Sequence, residues 1–159
     1  PEMYAAELAG NEPMRTAVNA AARQGMPVYA ECGGLMYLGR SIRDLAGHEY
    51  PMSGVIPVSS RIDKPRLSLG YRTVRALADG PLLRQGETAH GHEFHWAELQ
   101  ETTVTPAAYE VTEKGGHTEG FHQNNVLASY IHLHLGSLPA MPLRLIDVCR
   151  QFQTRQTQQ

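Results

Sequence analysis

The amino-acid sequence predicts an α/β fold, in which helical crossovers connect the strands of a β-sheet. The first observation is the order of patterns near the start of the chain: helix, short apolar run, glycine turn, helix. The second is the composition, since 42% hydrophobic and 19% charged residues are typical of a globular domain. The third is the length of 159 residues, enough for one domain with its own core. We therefore expect one domain over residues 1–152 and a disordered Gln/Thr-rich tail over residues 153–159.

The first elements follow from capping residues and apolar spacing. Asn11 is a typical N-cap and Gly25 a typical helix stop, so we expect a helix over residues 11–24. The apolar run at residues 26–30 predicts a buried strand, and a second helix is expected directly after the turn at Gly33 and Gly34. The apolar residues of the first helix recur at helical spacing: Met14, Ala17, Val18, Ala21 and Ala22.

Strand patterns dominate the rest of the chain until a closing helix. These extra strands and hairpins are not part of an ordinary doubly wound domain. The predicted segments are short strands or long loops over residues 53–75, a strand over 87–98, a hairpin within 104–119 that turns at Lys114-Gly115-Gly116, one apolar strand over 126–135, and an amphipathic helix over 139–152.

Charge and cysteine content exclude several classes of protein. With 14 Lys and Arg against 16 Asp and Glu, the chain has no basic excess for binding nucleic acid or an anionic membrane. No apolar run reaches the ~20 residues of a membrane span, and nothing near Pro1 resembles a signal peptide. Two cysteines are too few for a disulfide framework, so we expect a cytoplasmic protein. The sequence also lacks GxxxxGK[ST] and GxGxxG, the phosphate-binding loops for ATP and dinucleotides.

Cys32 is the first candidate for chemistry. It follows an apolar strand, precedes two glycines and stands where a helix begins. Such a turn exposes the thiol, and the helix N-terminus favours the thiolate, which is the nucleophilic form. The N–H of Gly33 is a candidate oxyanion donor, because a glycine allows close approach of a substrate carbonyl. A buried structural cysteine before a glycine turn is an equally open interpretation, whereas Cys149 in the closing helix is expected to be a core residue.

A cysteine nucleophile needs a base, and the chain has eight histidines. His132 and His134 are two residues apart in a predicted strand and so share a face. His92 and His95 flank Glu93 and are three residues apart, so they are expected on opposite faces. A zinc site built from these four histidines is conceivable, but the absence of HExxH and CxxC pairs makes the metal signal weak, and we predict no metal site.

Four ordered motifs resemble one family. Together with Pro1-Glu2-Met3-Tyr4-Ala5, which is similar to the end of a glycine-rich turn, they extend the resemblance from Pro1 to about Phe152. The family is that of the class I glutamine amidotransferase domains of cobyrinic acid a,c-diamide synthases. The motifs are PVYAECGGLMYL at residues 27–38, GYR at 70–72, GHEFH at 91–95 and NVLASYIHLH at 125–134.

The resemblance implies a glutaminase with the three-layer, flavodoxin-like sheet of that class, here with extra β-hairpins. Cys32 corresponds to the nucleophile and His132 to its base, and only the resemblance chooses His132 over His134. Many members of the wider class have a glutamate two residues after the base to orient it, where this chain has His134. A Cys-His dyad is therefore expected. Glu93 and His95 are candidates for shaping the glutamine pocket or the ammonia exit.

The resemblance also implies partners outside this chain. Family members carry an ATP-binding synthetase domain, in which ATP and Mg²⁺ activate the a and c carboxylates of a corrinoid for amidation. No cofactor is expected in this chain itself. A start at Pro1 predicts a fragment that lacks the first strands of the glutaminase domain, with an exposed sheet edge that favours a homodimer. The alternative is a catalytically inactive remnant that packs against a synthetase partner.

Overall fold

Helices and strands alternate in the first third of the chain, and strands dominate the middle, so the α/β prediction is confirmed. The computed structural model describes residues 1–62, 67–101, 104–113 and 115–158. The helices are α1 (Ala5–Gly10), α2 (Glu12–Arg23), α3 (Gly33–Leu38) and α4 (Ala140–Thr157), with 3₁₀ turns at Glu2–Tyr4 and Leu135–Ser137. The strands are β1 (Val28–Glu31), β2 (Ser41–Arg43), β3 (Glu49–Pro51), β4 (Ser59–Arg61), β5 (Ser68–Ala76), β6 (Thr88–His95), β7 (Glu98–Leu99), β8 (Ala107–Val111), β9 (His117–Gln123), β10 (Val126–Ser129) and β11 (His132–Leu133).

Within the described residues the strands form two sheets. The larger has the order β1-β10-β9-β8-β5-β6-β11, and the smaller has the order β3-β2-β4-β7. In the larger sheet only β1 and β10 pair in parallel among the described strands, and the other pairs are antiparallel. The sheet is therefore built more from hairpins than from helical crossovers.

The predicted N-terminal unit is confirmed. The Asn11 side chain accepts a hydrogen bond from the Met14 N–H at 3.2 Å and so caps α2. Gly25 has a φ of 86°, the left-handed conformation that ends helices. From there the chain enters β1, whose residues pair in register with β10, Ala30 opposite Ala128.

The predicted hairpin within residues 104–119 is present as the antiparallel pair β8 and β9, with Val111 opposite His117. Lys114 lies outside the described residues. The strand expected over residues 87–98 is β6, and its exposed and buried residues alternate along its whole length. The segment expected to hold short strands or loops contains β4 and β5, with residues 63–66 outside the described part.

The prediction of a single strand over residues 126–135 is wrong, because β10 and β11 are separate strands. Between them the backbone N–H of Tyr130 donates to Glu119, and that of Ile131 donates to the Ser129 hydroxyl. Side-chain acceptors thus replace ladder partners at the break. After it, β11 pairs with β6 at the far end of the sheet order. Only Tyr130 and Ile131 separate β10 from β11, and two residues span a short distance. The sheet therefore curls, and β11 lies near the end of β1.

The closing helix is longer than expected. It continues to Thr157, where the sequence predicts a disordered tail from residue 153 onward, and Gln159 lies outside the described residues. The last turns contain Gln and Arg, which are good helix formers. The hydroxyls of Thr154 and Thr157 bond back to the carbonyls of Arg150 and Thr154. The division of the chain into a domain and a tail stays a prediction.

Apolar side chains gather in two clusters that hold the helices against the sheets. The first joins α1, α2 and α3 to the smaller sheet and to the β1–β10 edge, with Leu35, Met36, Ile42 and Ile56 at its centre. The second lies inside the curl of the larger sheet and is closed by Met141 of α4. Among the described residues, no helix combines the length and apolarity that crossing a membrane requires.

Candidate active site

Cys32 lies in the sharp turn between β1 and α3. Its φ of 50° and ψ of −106° are rare for a residue with a side chain. Two hydrogen bonds hold this backbone: the Cys32 N–H donates to the Ser129 carbonyl at 2.7 Å, and the Cys32 carbonyl accepts from Met36 at 3.2 Å. The sulfur is half-buried and lies 3.8 Å from the Phe94 carbonyl oxygen of β6. The strained turn therefore presents the thiol at the end of β1, facing β6.

The surroundings of Cys32 favour the neutral thiol. Burial raises the pKa of this thiol, and the Glu2 carboxylate raises it further. The Gly33 N–H beside the sulfur lowers the pKa, but the net shift is upward. A thiol in this state needs a base to become a nucleophile.

Gly33 has the geometry expected of a close-approach residue. Its N–H points towards the Cys32 sulfur, and a Cβ added at this position would meet the side chain of Pro1 at 2.5 Å. Only glycine therefore fits between Pro1 and the candidate nucleophile. Its role as an oxyanion donor stays a prediction.

His132 belongs to β11 and is paired with His92 of β6. The two imidazole rings stack, with centroids 4.8 Å apart and planes 10° apart. Phe94, whose carbonyl oxygen faces the Cys32 sulfur, follows His92 by two residues on β6. The candidate base and the candidate nucleophile thus border the same short stretch of β6. His134 follows β11, donates its backbone N–H to the His90 carbonyl at 2.8 Å, and is exposed.

Glu31 is the residue that sequence reasoning missed. It directly precedes Cys32 at the end of β1, and one of its carboxylate oxygens lies 3.5 Å from Nδ1 of His132. The other oxygen accepts hydrogen bonds from the Leu133 N–H at 2.8 Å and from the Tyr29 hydroxyl. The only sequence signal is its place beside Cys32, two residues after Tyr29 and hence on the same strand face.

Glu93 and His95 are buried on the inner face of β6, whereas His92 is exposed, so the predicted alternation is confirmed. Arg72 forms an ion pair with Glu93 through Nε at 3.0 Å and a terminal nitrogen at 2.8 Å. The structure thus joins the GYR and GHEFH motifs.

The His95 ring is held by two contacts: its Nδ1 lies 2.7 Å from the Ala97 carbonyl oxygen, and the ring stacks on Tyr130 with centroids 4.0 Å apart. Tyr130 in turn donates its hydroxyl to Ser60 at 3.2 Å. His95 and, through Arg72, Glu93 therefore have protein partners, and their proposed part in a glutamine pocket stays a prediction.

An open cavity of about 430 Å³ lies beside His92, the stacking neighbour of the candidate base. It is bordered by Leu69, Gly70, Tyr71 and His92, and the ring of His92 stacks directly on that of His132. Of the four histidines named as conceivable zinc ligands, His92 and His132 stack on each other, whereas His95 is buried on the opposite face of β6 and His134 is exposed. Across the described part of the chain, no three His, Cys, Asp or Glu side chains form a group able to hold a metal ion.

Comparison with known proteins shows which family the chain belongs to. Residues 1–139 match the family of the CobB/CobQ-like glutamine amidotransferase domain. The chain belongs to this family. The CobB/CobQ-like match contains both Cys32 and His132, so the candidate site lies within the family domain.

Several curated relatives are similar to this CobB/CobQ-like chain over nearly its whole length. Cobyrinate a,c-diamide synthase of Dehalococcoides mccartyi is 43% identical over 157 residues, covering 96% of this chain and 34% of that protein. The Synechococcus sp. protein of the same name is 42% identical, covering 95% of this chain and 33% of that protein. Hydrogenobyrinate a,c-diamide synthase of Streptomyces coelicolor is 39% identical, covering 94% and 30%. The chain therefore spans about a third of the length of these relatives.

Proposed function

We propose that the chain is the glutaminase part of an ATP-dependent cobyrinic or hydrogenobyrinic acid a,c-diamide synthase of cobalamin biosynthesis. The observation that carries the proposal is the strained turn at Cys32, with the Gly33 N–H beside the sulfur, in a member of a glutamine amidotransferase family. A structural cysteine gains nothing from such a conformation, because it costs free energy that ordinary packing does not require. A catalytically inactive remnant is therefore not favoured.

The reaction begins when His132 takes the proton of the Cys32 thiol. The thiolate attacks the side-chain amide carbon of glutamine, forming a carbon–sulfur bond. The oxygen of the tetrahedral intermediate takes the negative charge, and the Gly33 N–H beside the sulfur is the proposed donor for it. The intermediate collapses as its carbon–nitrogen bond breaks, and His132 returns the proton to the leaving ammonia.

Water then hydrolyses the glutamyl thioester. His132 removes a proton from the water as the water oxygen bonds to the thioester carbon. The carbon–sulfur bond then breaks, His132 returns the proton to the sulfur, and glutamate leaves. The cavity of about 430 Å³ beside His92 lies next to the base and is the proposed position of the glutamine. Glu93 and His95, buried on the opposite face of β6 from His92, would shape the glutamine site or the ammonia exit from that side.

The rest of the synthase would use the ammonia. Cobyrinate and hydrogenobyrinate a,c-diamide synthases are about three times the length that this chain spans. We place ATP and Mg²⁺ in a synthetase region outside this chain, where they activate the a and c carboxylates of the corrinoid for attack by ammonia. This chain itself would bind glutamine and no cofactor.

The finer features of the fold are part of the same proposal. We expect a three-layer, flavodoxin-like sheet, in which β1 is an edge strand among those described. The β1 edge would pair with a second copy to give a homodimer.

The test measures glutamate release from glutamine by the full-length protein, with Cys32→Ala and His132→Ala beside the unchanged protein. Each variant should lower kcat by at least roughly 10²-fold, since one loses the nucleophile and the other the general base. Cys149 is exposed, so its expected place in the core is wrong. The matched controls are Cys149→Ala and His117→Ala, because both residues are exposed and lie outside the site. The controls should retain full activity.

Two results would contradict the proposal. Unchanged glutamate release by Cys32→Ala would exclude a thioester at this residue. Absence of release from the unchanged full-length protein, with and without ATP and corrinoid, would favour the inactive alternative.

A further inference from the structure

Glu31 is tied to the segment that carries the candidate base. It ends β1, and its carboxylate crosses to β11, which follows in the chain about a hundred residues later. The side chain is partly buried, with 28% of its surface exposed, and His132 is 32% exposed. Both lie at the rim of the site, open to a substrate but fixed by neighbours.

The two carboxylate oxygens of Glu31 have different partners. Oε1 accepts the Leu133 N–H at 2.8 Å and the Tyr29 hydroxyl, so the carboxylate is held from two sides. Oε2 is left to face Nδ1 of His132 at 3.5 Å. This separation is slightly longer than a typical hydrogen bond, and catalytic contacts of this kind commonly shorten when substrate binds.

We infer that Glu31 is a positioning residue that fixes the tautomer and direction of the His132 imidazole. This inference rests on the proposed glutaminase function. A carboxylate facing Nδ1 keeps the proton of the neutral ring on that nitrogen. Nε2 then has a free lone pair and can take the proton of the Cys32 thiol. The dyad thereby gains a third, orienting member, supplied by the residue next to the nucleophile.

The side chain of His134 is not positioned to orient the His132 imidazole. It stands where many relatives of the wider class have an orienting glutamate, but its side chain is exposed and packs beside Gly136. Its backbone N–H is bonded to His90. Among the described residues, Glu31 is the carboxylate paired with His132.

The decisive variant is Glu31→Gln in the full-length protein. The amide oxygen of Gln can keep both contacts of Oε1, with Leu133 and Tyr29, so the fold is preserved. Its NH₂ group then replaces Oε2 and donates to Nδ1 of His132. This forces the proton onto Nε2 and blocks the base. We expect kcat for glutamate release to fall roughly 10²–10⁴-fold with KM nearly unchanged, since Glu31 bonds to the base and not to glutamine.

A second readout does not depend on glutaminase activity. Nitrogen-15 spectra of the His132 ring distinguish the Nδ1–H from the Nε2–H tautomer, with His132→Gln used to assign the signal. The unchanged protein should show mainly the Nδ1–H form, and Glu31→Gln should show mainly the Nε2–H form. A merely structural glutamate would leave the tautomer unmoved.

Two further variants complete the experiment. Glu87→Gln is the matched control, because Glu87 is also an ion-paired carboxylate but bonds Arg144 on α4, away from the site. It should retain kcat and the His132 tautomer. Glu31→Asp keeps the charge but is one methylene too short to hold the imidazole, so it should lose at least tenfold in kcat. It also provides the test if Glu31→Gln does not fold.

The outcomes separate this inference from the proposed function. Wild-type kcat and tautomer in the Glu31 variants would overturn the inference and leave the glutaminase intact. If the unchanged protein releases no glutamate, the proposed function fails, and the tautomer still decides whether Glu31 sets the state of His132.

Discussion

The backbone conformation of Cys32 costs conformational free energy at the candidate site. Its positive φ places the Cβ in a region that residues other than glycine avoid, and such strain costs about 1–3 kcal/mol. The hydrogen bonds to Ser129 and from Met36 hold the residue in place, and the buried Leu35 and Met36 anchor the first turns of α3. The core thus stabilises a backbone conformation that presents the thiol but does not itself stabilise the fold.

This strain predicts that Cys32→Gly is more stable than Cys32→Ala. Glycine adopts a φ of 50° without steric conflict, although it loses about 0.5–1 kcal/mol through the greater entropy of its unfolded chain. The net gain should be about 1 kcal/mol, or roughly 2–4 °C in Tm. Thermal unfolding of the two variants side by side measures it, with both lacking the thiol and hence inactive. An equal or lower Tm for Cys32→Gly would show that the turn is relaxed.

At this scale the sequence revealed the residues with local signals and missed the one without. Cys32 is visible because a strand, two glycines and a helix surround it within a few positions. Glu31 has no comparable pattern. Its meaning depends on the pairing of β1 with β10, which brings it to Leu133 and His132, and such distant pairings are not encoded in any short stretch.

At the scale of elements, the contact between β6 and β11 positions His132, the proposed base. Gly91 lies opposite Leu133 in this pair. A Cβ on Gly91 would meet the His132 carbonyl oxygen at 2.3 Å and Ile131 at 2.9 Å, so the strands approach this closely only because glycine is there.

Gly91→Ala should therefore push β11 away from β6 and displace His132. A misplacement of about 1 Å can cost 10²-fold in rate, and we expect kcat for glutamate release to fall by about that factor. Gly10→Ala is the matched control, because a Cβ there meets nothing within 4 Å. It should retain activity. Equal kcat in both variants would mean that the position of β11 does not limit the reaction.

The elements themselves were predicted unequally. The helix capped by Asn11, the turn at Cys32 and the alternating β6 were all visible as local patterns. The break between β10 and β11 was not, because residues 126–135 are almost uniformly apolar. The break arises from Glu119 and Ser129, whose side chains accept the N–H groups of Tyr130 and Ile131. Ser129 is a single hydroxyl within the run, and Glu119 lies on the neighbouring strand β9, so the run itself does not reveal the break.

At the scale of the whole molecule, large apolar side chains are exposed on the strands that border the site. Tyr71 is 89% exposed, and Leu69, Phe94 and Trp96 are also exposed. Phe94 is next to Cys32 through its carbonyl, so this surface surrounds the place where ammonia would form. In a chain that spans about a third of its relatives' length, the proposed synthetase region must receive that ammonia.

The two halves of the proposed reaction can be separated by one substitution. Cys32→Ala in the full-length protein removes the nucleophile, so glutamine should no longer support amidation of the corrinoid. Free ammonia bypasses the thioester, and ATP-dependent amidation with an ammonium salt above pH 8 should continue at the rate of the unchanged protein. The measurement is corrinoid diamide formed with each nitrogen source. Cys149→Ala should use both sources equally well. If Cys32→Ala lost the ammonia-dependent reaction as well, this chain would contribute more than ammonia. If it kept the glutamine-dependent reaction, the nitrogen would not pass through Cys32.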